Sequence, residues 1–280
     1  MQVWPLSGNY CRTVGSEVVN VPPDRERTDG GSVQVVRKSA QILDCFSATT
    51  PRLRASDIVQ ATGMPTSTVA RILRTLVGEN LLQRQGQEYS IGLRVTAWSA
   101  AAKAGSDLLA AAGPHITALR DRSRESCGIY VRQGTNRVSV LGAESTHSII
   151  YRGYIGQILP LQASAAGKVL MAYDEQAHQA VLEEGLPGYT EHSITDPQVL
   201  EKLLDQVREQ GWAFTEEERE PGLNSLAAPI FGAGETLVAA VAIGAPSFRL
   251  TRAVAEELSA DVTATAAAIS RALLAGEPAQ

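Results

Sequence analysis

Hydrophobic positions change their period several times along the chain, and each change marks an element. Between Leu53 and Leu82 two short helical patterns flank Thr62-Gly63-Met64-Pro65. In the second, Val69, Ile72, Leu73, Leu76 and Val77 recur at helical spacing and make one apolar stripe. Pro65 stands where a first helical turn tolerates it. Thr66, Ser67 and Thr68 follow at the end that carries orphan N–H groups and the positive end of the dipole. Arg71 and Arg74 lie one turn apart off the stripe, and Gly78 and Asn80 close the helix. An earlier helix is expected over SVQVVRKSAQILDCFS, with Ser32 as N-cap and Val33, Val36, Ala40, Leu43 and Phe46 on one face. Thr49, Thr50 and Pro51 break it. Downstream, Leu82–Arg84 and Glu88–Ile91 read as two strands around a Gly turn. Three helices followed by a hairpin predict a winged helix-turn-helix, with Asp57–Thr62 positioning and Pro65–Gly78 reading. Hydroxyls at a helix start can take phosphates, and arginines on its open face can reach guanine edges.

From Leu93 to Ala112 the chain is rich in alanine, which predicts one continuous linking helix with Trp98, Ala102, Leu108 and Leu109 as a contact stripe. A second domain is expected to begin near Gly113-Pro114. It opens with an amphipathic helix carrying Ile116 and Leu119. Cys127–Arg132 and Arg137–Gly142 read as a hairpin around Gly134–Asn136. Ile149–Tyr154 and Ile158–Leu161 are candidate strand pieces. Residues 164–173, 175–185, 197–211 and 251–274 read as helices, and 212–215, 225–231 and 237–244 as strands. Strands mostly in hairpin order, mixed with helices, predict an α+β class with a mixed or antiparallel sheet. The domains so expected are an arm at 1–31, the DNA-binding unit at 32–92, the linker helix at 93–112, a sheet domain at 113–276 and a tail at 277–280.

Charge sharpens the division. Residues 32–96 hold eight Lys/Arg against four acids, +4 in a chain of net −5, and the stretch from 97 on carries −8. A basic small domain joined to an acidic larger one fits a DNA reader with a separate sensor. The competing structural reading is a small helical bundle with ordinary surface arginines. A hydrophobic share of 44% is ordinary for globular protein, and no run of about 18 apolar residues predicts a membrane span. The N-terminal stretch lacks signal-peptide layout, and Cys11, Cys45 and Cys127 form no CxxC pair, so reduced cysteines and a cytoplasmic setting are expected. Pro22-Pro23, DRERTD and Gly30-Gly31 give residues 1–31 the character of a flexible arm.

Enzymatic signatures are weak. SAAGK ends like a phosphate loop, yet Gln162 stands where Gly should and Val169 where a magnesium-binding hydroxyl should. His115, His147, His178 and His192 have no metal-ligand spacing, and GxSxG is missing. Glu216–Glu218 reads as a solvated acidic run rather than an acid/base site. No enzyme activity, cofactor or metal is expected.

The quoted motifs resemble the IclR family of bacterial transcription regulators. SVQVVRKSAQILDCFS followed by ATGMPTSTVARILRTLVGENLLQRQGQEYSIGLRV looks like its DNA-binding domain. LPLQASAAGKVLMA, GWAFTEEEREPGLNSLAAPIF and VAAVAIGAPSFRLT stand in the order of its GAF-like effector domain. The resemblance implies a homodimer or dimer of dimers on a palindromic operator, with the linker helix packing against its mate. It implies DNA contacts at Arg54, Ser56, Thr66, Ser67, Thr68, Arg71, Arg74 and Arg84. Arg54 departs from the usual Ser or Thr N-cap, so Ala55-Ser56 can shift that cap. An effector pocket is implied at Tyr151, Leu159, Ala165, Ala166, Thr215, Ser225, Ala242 and Gly244. Family members that take small 2-oxoacids tend to carry serines at the last two positions. Their absence predicts fewer donors, more room, and a larger, partly apolar organic acid held by backbone N–H groups at Ala165-Ala166. Control of a catabolic operon is the expected outcome. The alternatives left open are a GAF-like sensor acting through protein partners, and an enzyme.

Overall fold

The computed structural model describes residues 11–14, 17–20 and 33–276. Ser32, most of the expected arm and the 277–280 tail lie outside the described residues. Within the arm region, β1 (Cys11–Val14) pairs antiparallel with β2 (Glu17–Asn20), a hairpin the sequence reading did not anticipate. Contacts divide the chain into two compact units at Gly105/Ser106.

In the first unit, α1 (Gln34–Leu43), α2 (Ala55–Thr62) and α3 (Thr66–Gly78) enclose one core. Ile42, Cys45, Ile58, Ala61, Val69, Ile72, Leu73 and Leu76 fill it with Leu53 and Leu82. The face expected on the first helix holds only at its C-terminal end, where Leu43 and Phe46 pack against this core. Only the end of α1 packs, and Val33 (62% exposed) and Val36 (64%) stand clear of the core. A two-residue strand, β3 (Leu53–Arg54), joins the wing strands β4 (Leu82–Gln85) and β5 (Glu88–Ile91) in the order β3-β5-β4. The cap of α2 stays at Arg54. The Asp57 carboxylate accepts from the Arg54 N–H at 2.8 Å, and guanidinium has no acceptor with which to complete a capping box. Pro65 precedes α3 rather than opening it. Asn80 adopts φ +57°, and the Leu81 N–H reaches back to the Leu76 carbonyl at 2.9 Å, which ends α3 in a Schellman-like turn.

The continuous helix expected over 93–112 is broken. Helix α4 (Arg94–Ala104) stops at Gly105, and α5 (Asp107–Ser123) starts afresh because Ser106 Oγ accepts from the Leu109 N–H at 3.3 Å. The expected contact stripe divides with it. Trp98 is exposed beneath Arg94, whereas Leu108 packs into the core of the second unit. Gly113 and Pro114 lie inside α5 and mark no boundary.

The second unit is built on one antiparallel sheet in the order β8-β7-β6-β11-β10-β9. Its strands are β6 (Ser126–Gln133), β7 (Asn136–Ala143), β8 (Ile158–Pro160), β9 (Ala213–Glu216), β10 (Leu223–Phe231) and β11 (Leu237–Pro246). Alternating residues send Ile129, Leu226, Ile230, Val241 and Ile243 toward α5 and α9 (Arg252–Gly276). Ala227, Ala240 and Ala242 face α6 (Ala165–Ala172), α7 (Glu175–Glu184) and α8 (Pro197–Gln210). Small residues on that second face let the helices sit close. Helix α9 is long and apolar enough to cross a membrane by length and composition. Its buried Ala255, Val262, Ala266 and Ile269 pack against the sheet, and most of its other residues are half-buried or exposed. Ile149–Tyr154 is a loop and not a strand. Its Ile149 carbonyl accepts from Arg249 Nη2 at 2.8 Å, and Tyr151 folds onto Gly244.

Candidate DNA interface and effector cavity

The apolar stripe of α3 fixes which side of the helix faces out. With Val69, Ile72, Leu73 and Leu76 buried, Thr66, Ser67, Arg71 and Arg74 are exposed and Thr68 is half-buried. Among the described residues neither arginine has an ion-pair partner, and no side chain caps the helix start. Two cations and the positive end of the dipole are thus presented together. Of the other expected contacts, Arg54 is exposed, Ser56 Oγ donates to Asp57 Oδ1 at 3.1 Å, and Arg84 Nε donates to the Gly86 carbonyl at 2.9 Å. The Arg84 guanidinium also stacks 5.7 Å from the Tyr89 ring centre, which holds the wing tip in shape.

In the second unit a cavity opens between the start of α6 and the sheet. Tyr130, Arg137, Tyr151, Ala163, Ser164, Ala166, Thr215, Glu218, Arg219, Leu223, Ser225, Ala242, Ile243 and Gly244 line it. Six residues of the expected set are here, but two are not. Leu159 lies on β8 opposite Arg137, away from the lining. Ala165 spends its N–H on Ser225 Oγ at 3.1 Å, and Ser225 in turn pairs with Thr215 Oγ1 at 2.7 Å. Ser164 caps α6 by accepting from the Gly167 N–H at 3.0 Å. Of these first-turn N–H groups, that of Ala166 alone has no acceptor among the described residues.

At Gly244 the expected extra room is absent, and the lining is not poor in donors. A side chain at Gly244 would meet Tyr151 Cδ1 at 2.7 Å, so the ring already fills the space a serine would take. Two guanidinium groups stand in the lining as donors. Arg137 is 4% exposed, its Nη1 donates to the Pro160 carbonyl at 2.8 Å, and its Nε is buried with no partner. It lies 5.2 Å from the Tyr130 ring centre. Burial lowers its pKa to about 10, and no carboxylate offsets this. Arg219 stacks over Tyr151 at 5.7 Å, with Nη2 3.4 Å from the Tyr151 hydroxyl. Beside them, buried Lys168 is ion-paired to Glu218 and donates to the Gln162 carbonyl at 3.2 Å. Burial pulls the lysine's pKa down and pushes the glutamate's up, and each is opposed by the other's charge. Cys45 and Cys127 are buried thiols, both pushed up to about 12 by burial, and are chemically quiet.

Comparison with known proteins decides the family. The bacterial transcriptional regulator IclR C-terminal model matches residues 100–271, and the IclR helix-turn-helix domain model matches residues 35–86. This chain belongs to the IclR family. The HTH-type transcriptional repressor AllR of Escherichia coli is 31% identical over 234 residues, covering 82% of this chain and 86% of that protein. The AllR of Salmonella typhimurium gives the same identity and coverage. Among solved structures, a transcriptional regulator from Rhodococcus sp. RHA1 aligns with TM-score 0.72 at 28% identity, covering 86% of this chain and 98% of that one. An IclR homologue from Microbacterium hydrocarbonoxydans, complexed with 4-hydroxybenzoate, shares the fold at TM-score 0.73 and 23% identity, covering 85% and 98%. The protein is therefore a DNA-binding transcriptional regulator of the IclR family, with a helix-turn-helix unit and a curled antiparallel sheet unit. The SAAGK motif has a packing role in this fold. A side chain at Gly167 would fall 1.8 Å from the Leu161 carbonyl oxygen, so α6 can seat only with glycine there.

The residues missed by sequence reasoning are Arg137, Arg219, Tyr130 and Lys168, and Glu218, expected in a solvated acidic run, is instead buried against Lys168. Arg137 sits in an alternating strand, where a cation normally points to solvent. Its neighbours Asn136 and Ser139 are polar too, and nothing local separated the buried arginine from a surface one.

Proposed function

We propose that this regulator is a repressor that binds a palindromic operator as a homodimer or dimer of dimers and is released, or re-set, by a small organic acid in the sheet unit. Control of a catabolic operon in the cytoplasm fits that design. The AllR relatives are named repressors, and the Microbacterium protein holds a carboxylate ligand in the same fold. The observation that carries the ligand reading is Arg137, a buried guanidinium in the cavity lining, beside Ala166, whose Nε has no acceptor among the described residues. A buried donor without a partner costs free energy until an anion meets it. On the DNA side, α3 supplies the reading residues Arg71 and Arg74, the hydroxyls Thr66, Ser67 and Thr68 supply phosphate contacts, and Arg54, Ser56 and Arg84 flank them.

Footprinting on the regulator's own promoter and neighbouring operons tests the DNA half. Arg71→Ala is expected to cost about 1–3 kcal/mol and to relax sequence preference at one position per half-site. Unchanged affinity and preference would remove α3 from the role of reader. A thermal-shift screen of organic acids, repeated in the gel-shift assay, tests the ligand half. Absence of any acid that both stabilises the protein and alters operator affinity would refute it.

A further inference from the structure

The cavity contains more positive charge than one carboxylate can balance. Lys168 is neutralised inside the protein by Glu218. Arg137 has no carboxylate among the described residues, only the Pro160 carbonyl and the Tyr130 ring. Arg219 is the second cation. Its acidic neighbour is Glu220, 3.4 Å away and itself largely in solvent. An exposed glutamate in high dielectric offsets such a cation only weakly.

The two arginines belong to one wall. Each lies over a tyrosine, and the tyrosines adjoin. A side chain built at Gly153 would stand 3.3 Å from Tyr151 Cε1 and 3.5 Å from the Tyr130 hydroxyl oxygen. Gly153 thus admits both rings at one spot, and the guanidinium groups flank the pair. Stacking holds each planar fork in a fixed orientation, which leaves its N–H edge for an in-plane acceptor such as a carboxylate.

Resting on the organic-acid reading above, we propose that the ligand is a dicarboxylic acid bound as its dianion. One carboxylate meets the Arg137 guanidinium and the Ala166 N–H, and the second meets Arg219. The hydrocarbon between them lies against the Tyr130–Tyr151 wall. A monocarboxylate leaves Arg219 unmatched, so discrimination comes from the second carboxylate.

Calorimetric titration of the full-length protein at pH 7.5 tests this with four probes: succinate, glutarate, and their half-amides succinamate and glutaramate, which keep the shape and lose one charge. The parent is expected to bind at least one diacid about tenfold or more tightly than its half-amide, a difference worth about 1.4 kcal/mol. Arg219→Gln, at a partly exposed position, is expected to bring diacid and half-amide to within about twofold by weakening only the diacid. Arg137→Met should weaken both. Circular dichroism establishes that each variant is folded, and Arg137→Lys serves as the second variant if methionine disturbs folding. Equal binding of diacid and half-amide by the parent overturns the dianion proposal and leaves the organic-acid reading intact. A preference for diacids that survives Arg219→Gln also overturns it, by removing the second anchor. If no diacid or half-amide binds at millimolar concentration while another monocarboxylic acid does, the proposal again fails alone. If no carboxylate binds, the organic-acid reading falls with it.

Discussion

Replacing Arg137 by methionine separates a structural cation from one held for a ligand. Burial removes water from the guanidinium and pulls its pKa down to about 10. At about 1.36 kcal/mol per pKa unit, that penalty is roughly 3 kcal/mol at neutral pH. The sign follows from the group being a base whose folded value is depressed. The penalty on folding is full below about pH 10 and fades as the pH rises beyond it. Against it stand one charge-assisted hydrogen bond to Pro160, worth about 1.5–3 kcal/mol, and a stacked tyrosine, worth about 0.5–2 kcal/mol. These nearly cancel. Methionine keeps an unbranched apolar stem in the same slot, so ligand-free Arg137→Met is expected to stay within about 1 kcal/mol of the parent in urea unfolding at pH 7. The ligand response should differ sharply. An acid at 100 times its dissociation constant stabilises the parent by about 2.7 kcal/mol and should give the variant almost none of that. A loss of about 3 kcal/mol or more without ligand would refute the reasoning, because it would show that Arg137 holds the fold. An undiminished ligand gain would place the anion elsewhere.

Two further expectations come from the same unit. Gly167→Ala drives a methyl group against the Leu161 carbonyl, a backbone atom that cannot swing away, and should cost about 3 kcal/mol or more in thermal unfolding; an unchanged melting temperature would show that α6 can shift freely. Lys168→Met strands the buried Glu218 carboxylate and should cost about 3–5 kcal/mol, whereas Lys168→Met with Glu218→Leu should recover most of it; equal losses in single and double variants would mean that the ion pair is not the issue.

How much of this could be read from sequence depends on how local the determining physics is. The stripe on α3 is local: buried and exposed positions follow from a 3.6-residue repeat, and the structure places Arg71 and Arg74 on the open side for that reason alone. The wing strands follow from a Gly turn at Gly86, which takes φ +63°. The face of α1 holds only at its end, because apolar spacing does not say how far a helix extends beyond its core. Val33 and Val36 have the right period and no neighbour to bury them. The break at Ser106 failed for a different reason. Alanine propensity on both sides argues for continuity, but a serine able to cap at the end of α4 ends one helix and begins another.

The cavity was half legible, and the missing half is the part with chemistry. Backbone geometry at α6 was readable from SAAGK because a capped helix start is a short-range feature. The arginines were not, since what makes Arg137 a ligand group is its surroundings: Pro160 at the end of β8, Tyr130 across the β6–β7 hairpin, and Tyr151 on the loop from 144 to 157. Even the glycine at 244 misled when read by itself. Its missing side chain looked like added space, but Tyr151, 93 positions earlier in the chain, occupies that space and brings Arg219 with it. The glycine at 244 and the guanidinium of Arg219 are therefore parts of one arrangement around Tyr151. The donors that line this cavity are charged guanidinium groups, which hydrogen-bond an anion more strongly than a neutral hydroxyl does.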